Sequence, residues 1–213
     1  MAISIWPTTI MGWCSNCISR WSNRNAYRLT SLSAGPPHLL TIGLMFPVEQ
    51  GQREADVKPA FTNLRENYSS VAAVDQAALF GEIGWEDLIG KDSFANTCAI
   101  RVSLALIKAG IALKGRMAIR RGPFKGALIE PGQAKLAHML ASPSMFGAPE
   151  KFARDAAMAG VGQRQGLVAF FRIPGYLGGA GGHIDILLPS VGVKACGSEC
   201  YWDCGEVWFW PLG

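Results

Sequence analysis

The chain has 213 residues, of which 49% are hydrophobic and 17% charged, with 25 glycines, enough for one domain with a full core and an extra segment. Its formal net charge of +4, from 20 basic and 16 acidic residues, is too mild and too dispersed for a nucleic-acid footprint, although it suits an acidic or polymeric target. No apolar run approaches the roughly 18 residues that span a membrane, and the amino terminus lacks a basic start followed by an apolar stretch, so neither a transmembrane segment nor a cleaved signal peptide is expected.

Residues 1–57 read differently from the rest. Trp6, Trp13 and Trp21 sit among Ser, Asn and Arg, no acidic residue precedes Glu49, and "SAGPPH" interrupts any regular element. The "CSNC" at 14–17 has redox or half-zinc spacing but lacks a strand-helix setting and a second ligand pair. The stretch is expected to be an N-terminal extension, either flexible or an artefact of the start site with Met45 as the first residue. The folded domain is expected over 58–213.

From Pro59 the pattern tightens. Phe61, Leu64 and Tyr68 give a helical stripe, "VDQAALFGEIG" continues with apolar residues, and "SFANTCAIRVSLALIKAG" (93–110) is an amphipathic helix. In it Asn96 or Thr97 can cap the first turn, Ile100, Leu104 and Ile107 mark the core face, and Gly110 supplies the stop. "RMAIRRGPF" is a basic loop or short strand, and Pro131 can start a helix bearing Leu136, Met139 and Leu140. A short helix is expected from Glu150 to Ala159, stopping at Gly160. Strands are expected at 166–173, 182–188 and 206–212, each rich in β-branched or aromatic residues. Helices first and strands last indicate an α+β domain in which an antiparallel sheet packs against the helix carrying Cys98.

Cys98 lies in the first turn of its helix, where free N–H groups and the helix dipole favour a thiolate; the plainer alternative is a small buried apolar residue. A Cys nucleophile needs a base, and the chain offers His38, His138 and His183. His38 lies in the extension and His138 inside a helix. His183 opens a strand directly after "GYLGGAGG", which has little bulk to obstruct a cleft. Cys98 and His183 therefore form a candidate acyl-transfer pair. The group that orients the imidazole is open between Asp185, on the same strand face, and Glu199 or Asp203 from an adjacent segment; Asp185 is favoured. The six cysteines, at 14, 17, 98, 196, 200 and 204, form no pair of separated CxxC motifs, so no metal or cofactor is called for. The trio in "CGSECYWDC" suits one disulfide with one cysteine left over, which implies an oxidising compartment.

"NTCAIRVSLAL" (96–106), "GGHIDI" (181–186) and "CGSECYWDCGEVWFWPL" (196–212), in that order, resemble the signature blocks of the type VI secretion amidase effector 4 family. The resemblance covers Pro59 to Leu212. It implies a papain-like, NlpC/P60-like fold, Cys98 as nucleophile, His183 as base, and a disulfide between Cys196 and Cys200. It further implies a peptidoglycan amidase that cleaves stem peptides between D-glutamate and meso-diaminopimelate. Such an enzyme is delivered by the type VI machinery to the periplasm of target bacteria, and a cognate immunity protein protects the producer. Family members carry an aspartate midway between the paired cysteines that completes the triad; this chain has Ser198 there, with Glu199 beside it. Cys204 and the extension have no counterpart in the family.

Arg101 and the Arg120, Arg121, Lys125 cluster are candidate clamps for substrate carboxylates, or simply a solvated basic surface. The Cys98 backbone N–H is a candidate oxyanion donor. Two competing readings are a Cys–His enzyme acting on another peptide substrate and a non-enzymatic wall-binding module using Trp202, Trp208 and Trp210. The alternation of Trp208 and Trp210 with Val207 and Phe209 instead suggests a two-sided core strand.

Overall fold

The computed structural model describes residues 57–189 and 195–213. The extension expected over 1–57, with His38, Cys14, Cys17 and Met45, lies outside the described residues except for Val57. Helix α1 (Phe61–Asn67) ends at Tyr68. Helix α2 (Gln76–Ile83) is capped by Asp75, whose side chain accepts the Ala78 N–H, and stops at Gly84 with φ 76°, a left-handed geometry that glycine adopts without cost. Two 3-10 turns lead to α3 (Cys98–Lys108).

The amphipathic reading of α3 understates its burial: every residue from Cys98 to Ile107 is buried. The helix is enclosed by α1, by α4 (Gln133–Leu140) and by the main sheet, and only Lys108 reaches out, to Glu82 at 2.5 Å. Truncating an enclosed side chain such as Leu106, which has no solvent exposure, would cost about 2–5 kcal/mol. The mouth of α3 is therefore held rigidly, and with it Cys98. No helix among the described residues is long and apolar enough to cross a membrane.

Strands β1 (Met117–Ala118) and β2 (Leu128–Ile129) form a small ribbon. The main sheet is antiparallel, ordered β3-β7-β4-β5-β6, with β3 Glu150–Ala153, β4 Gly166–Phe171, β5 Gly182–Leu188, β6 Ala195–Cys196 and β7 Glu206–Pro211. Alternation along its central strands gives two apolar faces. Leu167, Ala169, Ile184, Ile186, Trp208 and Trp210 pack with α3. Val168, Phe170, Leu187, Val207 and Phe209 pack with Ala157 and Val161 of α5 (Arg154–Val161). The expected central strands are thus present, and Trp208 and Trp210 occupy one face while Val207 and Phe209 occupy the other.

The helix expected from Glu150 is corrected. Glu150–Ala153 extends along β7, in register Glu150↔Phe209 to Ala153↔Glu206, and the helix begins only at Arg154 and runs past Gly160. A free sheet edge overrides weak local helix preference. At the other edge β6 pairs only with Leu187 and Leu188. The His183 end of β5 therefore has no outer strand among the described residues, and the loop after β6 covers that edge instead.

Candidate active site

Cys98 opens α3 and is 5% exposed. Of the two cap candidates, Asn96 takes the role: its Oδ1 accepts the Cys98 N–H at 3.0 Å. Thr97 spends its hydroxyl on the Arg101 Nε–H, at 2.9 Å. Asn96 also donates from Nδ2 to the Tyr176 hydroxyl at 2.8 Å, tying the mouth of α3 to the glycine-rich loop before β5. A Cβ on Gly181 of that loop would run into the Tyr176 ring, so glycine is required where the loop folds over its own tyrosine.

His183 and Asp185 share one face of β5. The imidazole Nε2 lies 3.4 Å from Asp185 Oδ2, and the ring is stacked on Phe170 with centroids 6.4 Å apart and edge-on to Tyr201 at 5.1 Å. Burial works against the charged imidazole, but the Asp185 carboxylate and then Cys98 outweigh it and hold the His183 pKa up at about 9. Protonated His183 therefore stabilises the fold fully below about 6.5, and that contribution is lost as pH rises through about 9. Cys98 and His183 line one cleft of about 710 Å³, with Asp185 enclosed behind the imidazole.

Asp185 has no solvent exposure. Its Oδ1 accepts the Ile186 N–H at 2.8 Å, and its Oδ2 accepts the N–H groups of Ser198 at 2.7 Å and Glu199 at 3.1 Å. A buried carboxylate is tolerable only when hydrogen-bonded in this way. The two loop donors sit between Cys196 and Cys200, which form a disulfide with Cα atoms 5.4 Å apart. Ser198 does not turn to the imidazole. Its hydroxyl lies 3.0 Å from the Tyr68 hydroxyl and accepts the Val71 N–H at 3.2 Å. Glu199 accepts the Tyr201 hydroxyl at 2.7 Å, and burial followed by that carboxylate pushes the Tyr201 phenol up. Asp203 is exposed and lies outside the cleft lining. Cys204 is a buried free thiol that donates to the Glu206 carbonyl at 3.2 Å, its pKa raised by burial.

Of the candidate clamps Arg101 lies at the cleft, while the Arg120, Arg121, Lys125 cluster fits the alternative of a solvated basic surface. Arg101 lines the cleft, but it is 2% exposed and its guanidinium is engaged by the protein, donating to the Ser69 and Ser70 carbonyls at 2.9 and 3.1 Å. Arg120 pairs with Asp87 at 2.5 Å and Arg121 with Glu86; neither they nor Lys125 line the cleft. His138 is exposed, bonded through Nδ1 to the Ala134 carbonyl, with its ring 4.9 Å from Trp208. Trp208 and Trp210 are buried on one sheet face and Trp202 packs on the other, so the three indoles form no common platform. Sequence reasoning missed Tyr68 as a site residue: its partner Ser198 is 130 positions away, and no local periodicity reports such a contact.

The family model described as "Type VI secretion system (T6SS), amidase effector protein 4" matches residues 94–210, more than half of the chain. Among solved structures, the chain is similar to the effector Tae4 of Enterobacter cloacae in its effector–immunity complex with Tai4, with 19% identity, TM-score 0.56, and coverage of 73% of this chain and 99% of that one. It is similar to a crystal structure of the type VI effector Tae4 from Enterobacter cloacae, at 20% identity and TM-score 0.52 over 73% of this chain and 98% of that one. It is likewise similar to the Tae4–Tai4 complex of Salmonella Typhimurium, at 17% identity and TM-score 0.52 over 73% and 99%. At these identities the structures speak for the fold. No protein of curated function matches. With the family model spanning the cysteine helix, the histidine strand and the disulfide loop, the chain belongs to the type VI secretion amidase effector 4 family.

Proposed function

We propose that the protein is a cysteine peptidoglycan amidase of papain-like, NlpC/P60-like architecture, a DL-endopeptidase that hydrolyses the D-glutamyl to meso-diaminopimelate bond of stem peptides. Cys98 is the nucleophile, His183 the base and Asp185 the orienting carboxylate. The observation that carries this reading is the arrangement of a buried thiol at a helix mouth, an imidazole lining the same cleft, and a buried carboxylate behind the ring.

With Nε2 turned to Asp185, Nδ1 is the nitrogen left to take the thiol proton. The thiolate attacks the scissile carbonyl carbon, and the oxygen that becomes negative takes the Cys98 N–H in place of Asn96 Oδ1. The imidazolium protonates the leaving amine as the C–N bond breaks, leaving a thioester on Cys98. Water, deprotonated by His183, then cleaves the thioester and releases the new carboxylate.

Family membership and the occurrence of the Tae4 effectors in complexes with Tai4 support a cognate immunity protein, delivery by type VI secretion and action in the periplasm of the target cell. An oxidised Cys196–Cys200 pair suits that compartment. The buried positions of Trp208 and Trp210 argue against a wall-binding module. The test is digestion of purified diaminopimelate-type peptidoglycan with mass spectrometry of the fragments. New D-glutamyl carboxyl and diaminopimelyl amino ends are expected. Fragments cut at any other bond, or none, contradict the assignment.

A further inference from the structure

The segment Tyr68–Val71 touches both arms of the site. From the α3 side, Arg101, one turn along from Cys98, donates to the Ser69 and Ser70 carbonyls. From the loop side, the Tyr68 hydroxyl and the Val71 N–H both meet the Ser198 hydroxyl. Ser198 in turn offers its backbone N–H to Asp185 Oδ2 at 2.7 Å. The packing is close enough to exclude a side chain between them. A Cβ on Gly197 would stand 2.5 Å from Tyr68 Cε1, 2.8 Å from Ile186 Cγ1 and 2.9 Å from Asp185 Oδ1, all shorter than carbon contacts permit.

We infer that Tyr68 and Ser198 are positioning residues: their hydroxyl pair clamps the disulfide loop so that its N–H groups fix the Asp185 carboxylate behind His183. The inference rests on the triad reading above, with the carboxylate on the histidine strand. The resemblance leads one to expect a carboxylate at position 198. Here the loop supplies donors instead, and a serine hydroxyl there serves to pin the loop. Tyr68 suits the task because burial, and next the Asp185 charge, push its phenol up from its ordinary value, so it remains a neutral hydroxyl. A clamp of this kind restricts Asp185 to the rotamer that meets the ring, and a restricted orienting group is worth more than a mobile one.

The experiment is a double-mutant cycle on the full chain, reading kcat and the pH profile of kcat/KM with peptidoglycan fragments. Tyr68→Phe and Ser198→Ala are each expected to lower kcat about tenfold, as when a group behind a functional imidazole is loosened. They should also move the alkaline limb of kcat/KM downward, because His183 loses part of the interaction that raises its pKa. Ser198→Thr, which keeps the hydroxyl, should restore the limb. Added to Asp185→Asn, neither substitution should cost anything further. Losses that multiply in the cycle, or an alkaline limb that stays in place while kcat falls, overturn the inference and leave a merely structural role. Wild-type turnover by Asp185→Asn overturns the triad reading itself, and the inference with it.

Discussion

Strand β5 and the loop that follows β6 contribute to the same site by opposite means. On β5, His183 and Asp185 are held by a regular ladder, with Phe170 opposite His183 and Val168 opposite Asp185. The loop from Cys196 to Cys200 has a disulfide, two N–H bonds to a carboxylate and one serine hydroxyl pinned from 127 and 130 residues away. The strand fixes direction through backbone period; the loop fixes it through side chains of distant origin. Replacing a group on the strand or on α3 should therefore remove chemistry, whereas loosening the loop should only detune it.

The largest effect is expected from Cys98→Ala and His183→Ala. Each should lower kcat by about 10³-fold or more while leaving thermal unfolding cooperative, as read by fragment release and circular dichroism. Next comes the carboxylate. Asp185→Asn should cost about 10²–10⁴-fold, because an amide cannot balance the imidazolium; Glu199→Gln and Asp203→Asn should stay within a few-fold. A dominant loss at Glu199 would move the orienting role from the strand to the loop and break the comparison.

Opening the disulfide should produce an intermediate effect on rate. The bond closes so short a loop that about 2 kcal/mol of stability is expected from it. Reduction, or Cys196→Ser with Cys200→Ser, should therefore reduce turnover more than it lowers the denaturation midpoint, since the Ser198 and Glu199 N–H groups leave Asp185. The smallest effect is a pH shift. Histidine resonances followed by NMR should show His183 titrating near 9, and Cys98→Ala should move it downward because Cys98 contributes to holding it up. Burial, which works against the charged ring, is then opposed by Asp185 alone.

The same contrast explains what the sequence made legible. β5 occupies the expected residues because alternation and the flanking glycines are local signals. Cys98 at a helix mouth and His183 at a strand start followed from those elements, and Asp185 from a two-residue period. The loop did not yield in the same way: nothing local tells whether Ser198 faces the imidazole or Tyr68. Arg101 reads as a candidate clamp from its neighbourhood to Cys98, and it does line the cleft, yet its guanidinium is engaged by the Ser69 and Ser70 carbonyls. Glu150–Ala153 reads as helix until the edge of β7 is available to pair with it. In each of these cases a partner far along the chain decides.

The most direct test of the central claim, that thiol and imidazole act as one unit, is the rate of fragment release from diaminopimelate-type peptidoglycan by wild type, Cys98→Ala, His183→Ala and the double variant, all confirmed folded. The double variant is expected to be no slower than either single one, because each alone already leaves the pair ineffective. Near-wild-type turnover by folded Cys98→Ala, or losses that multiply in the double variant, would contradict it.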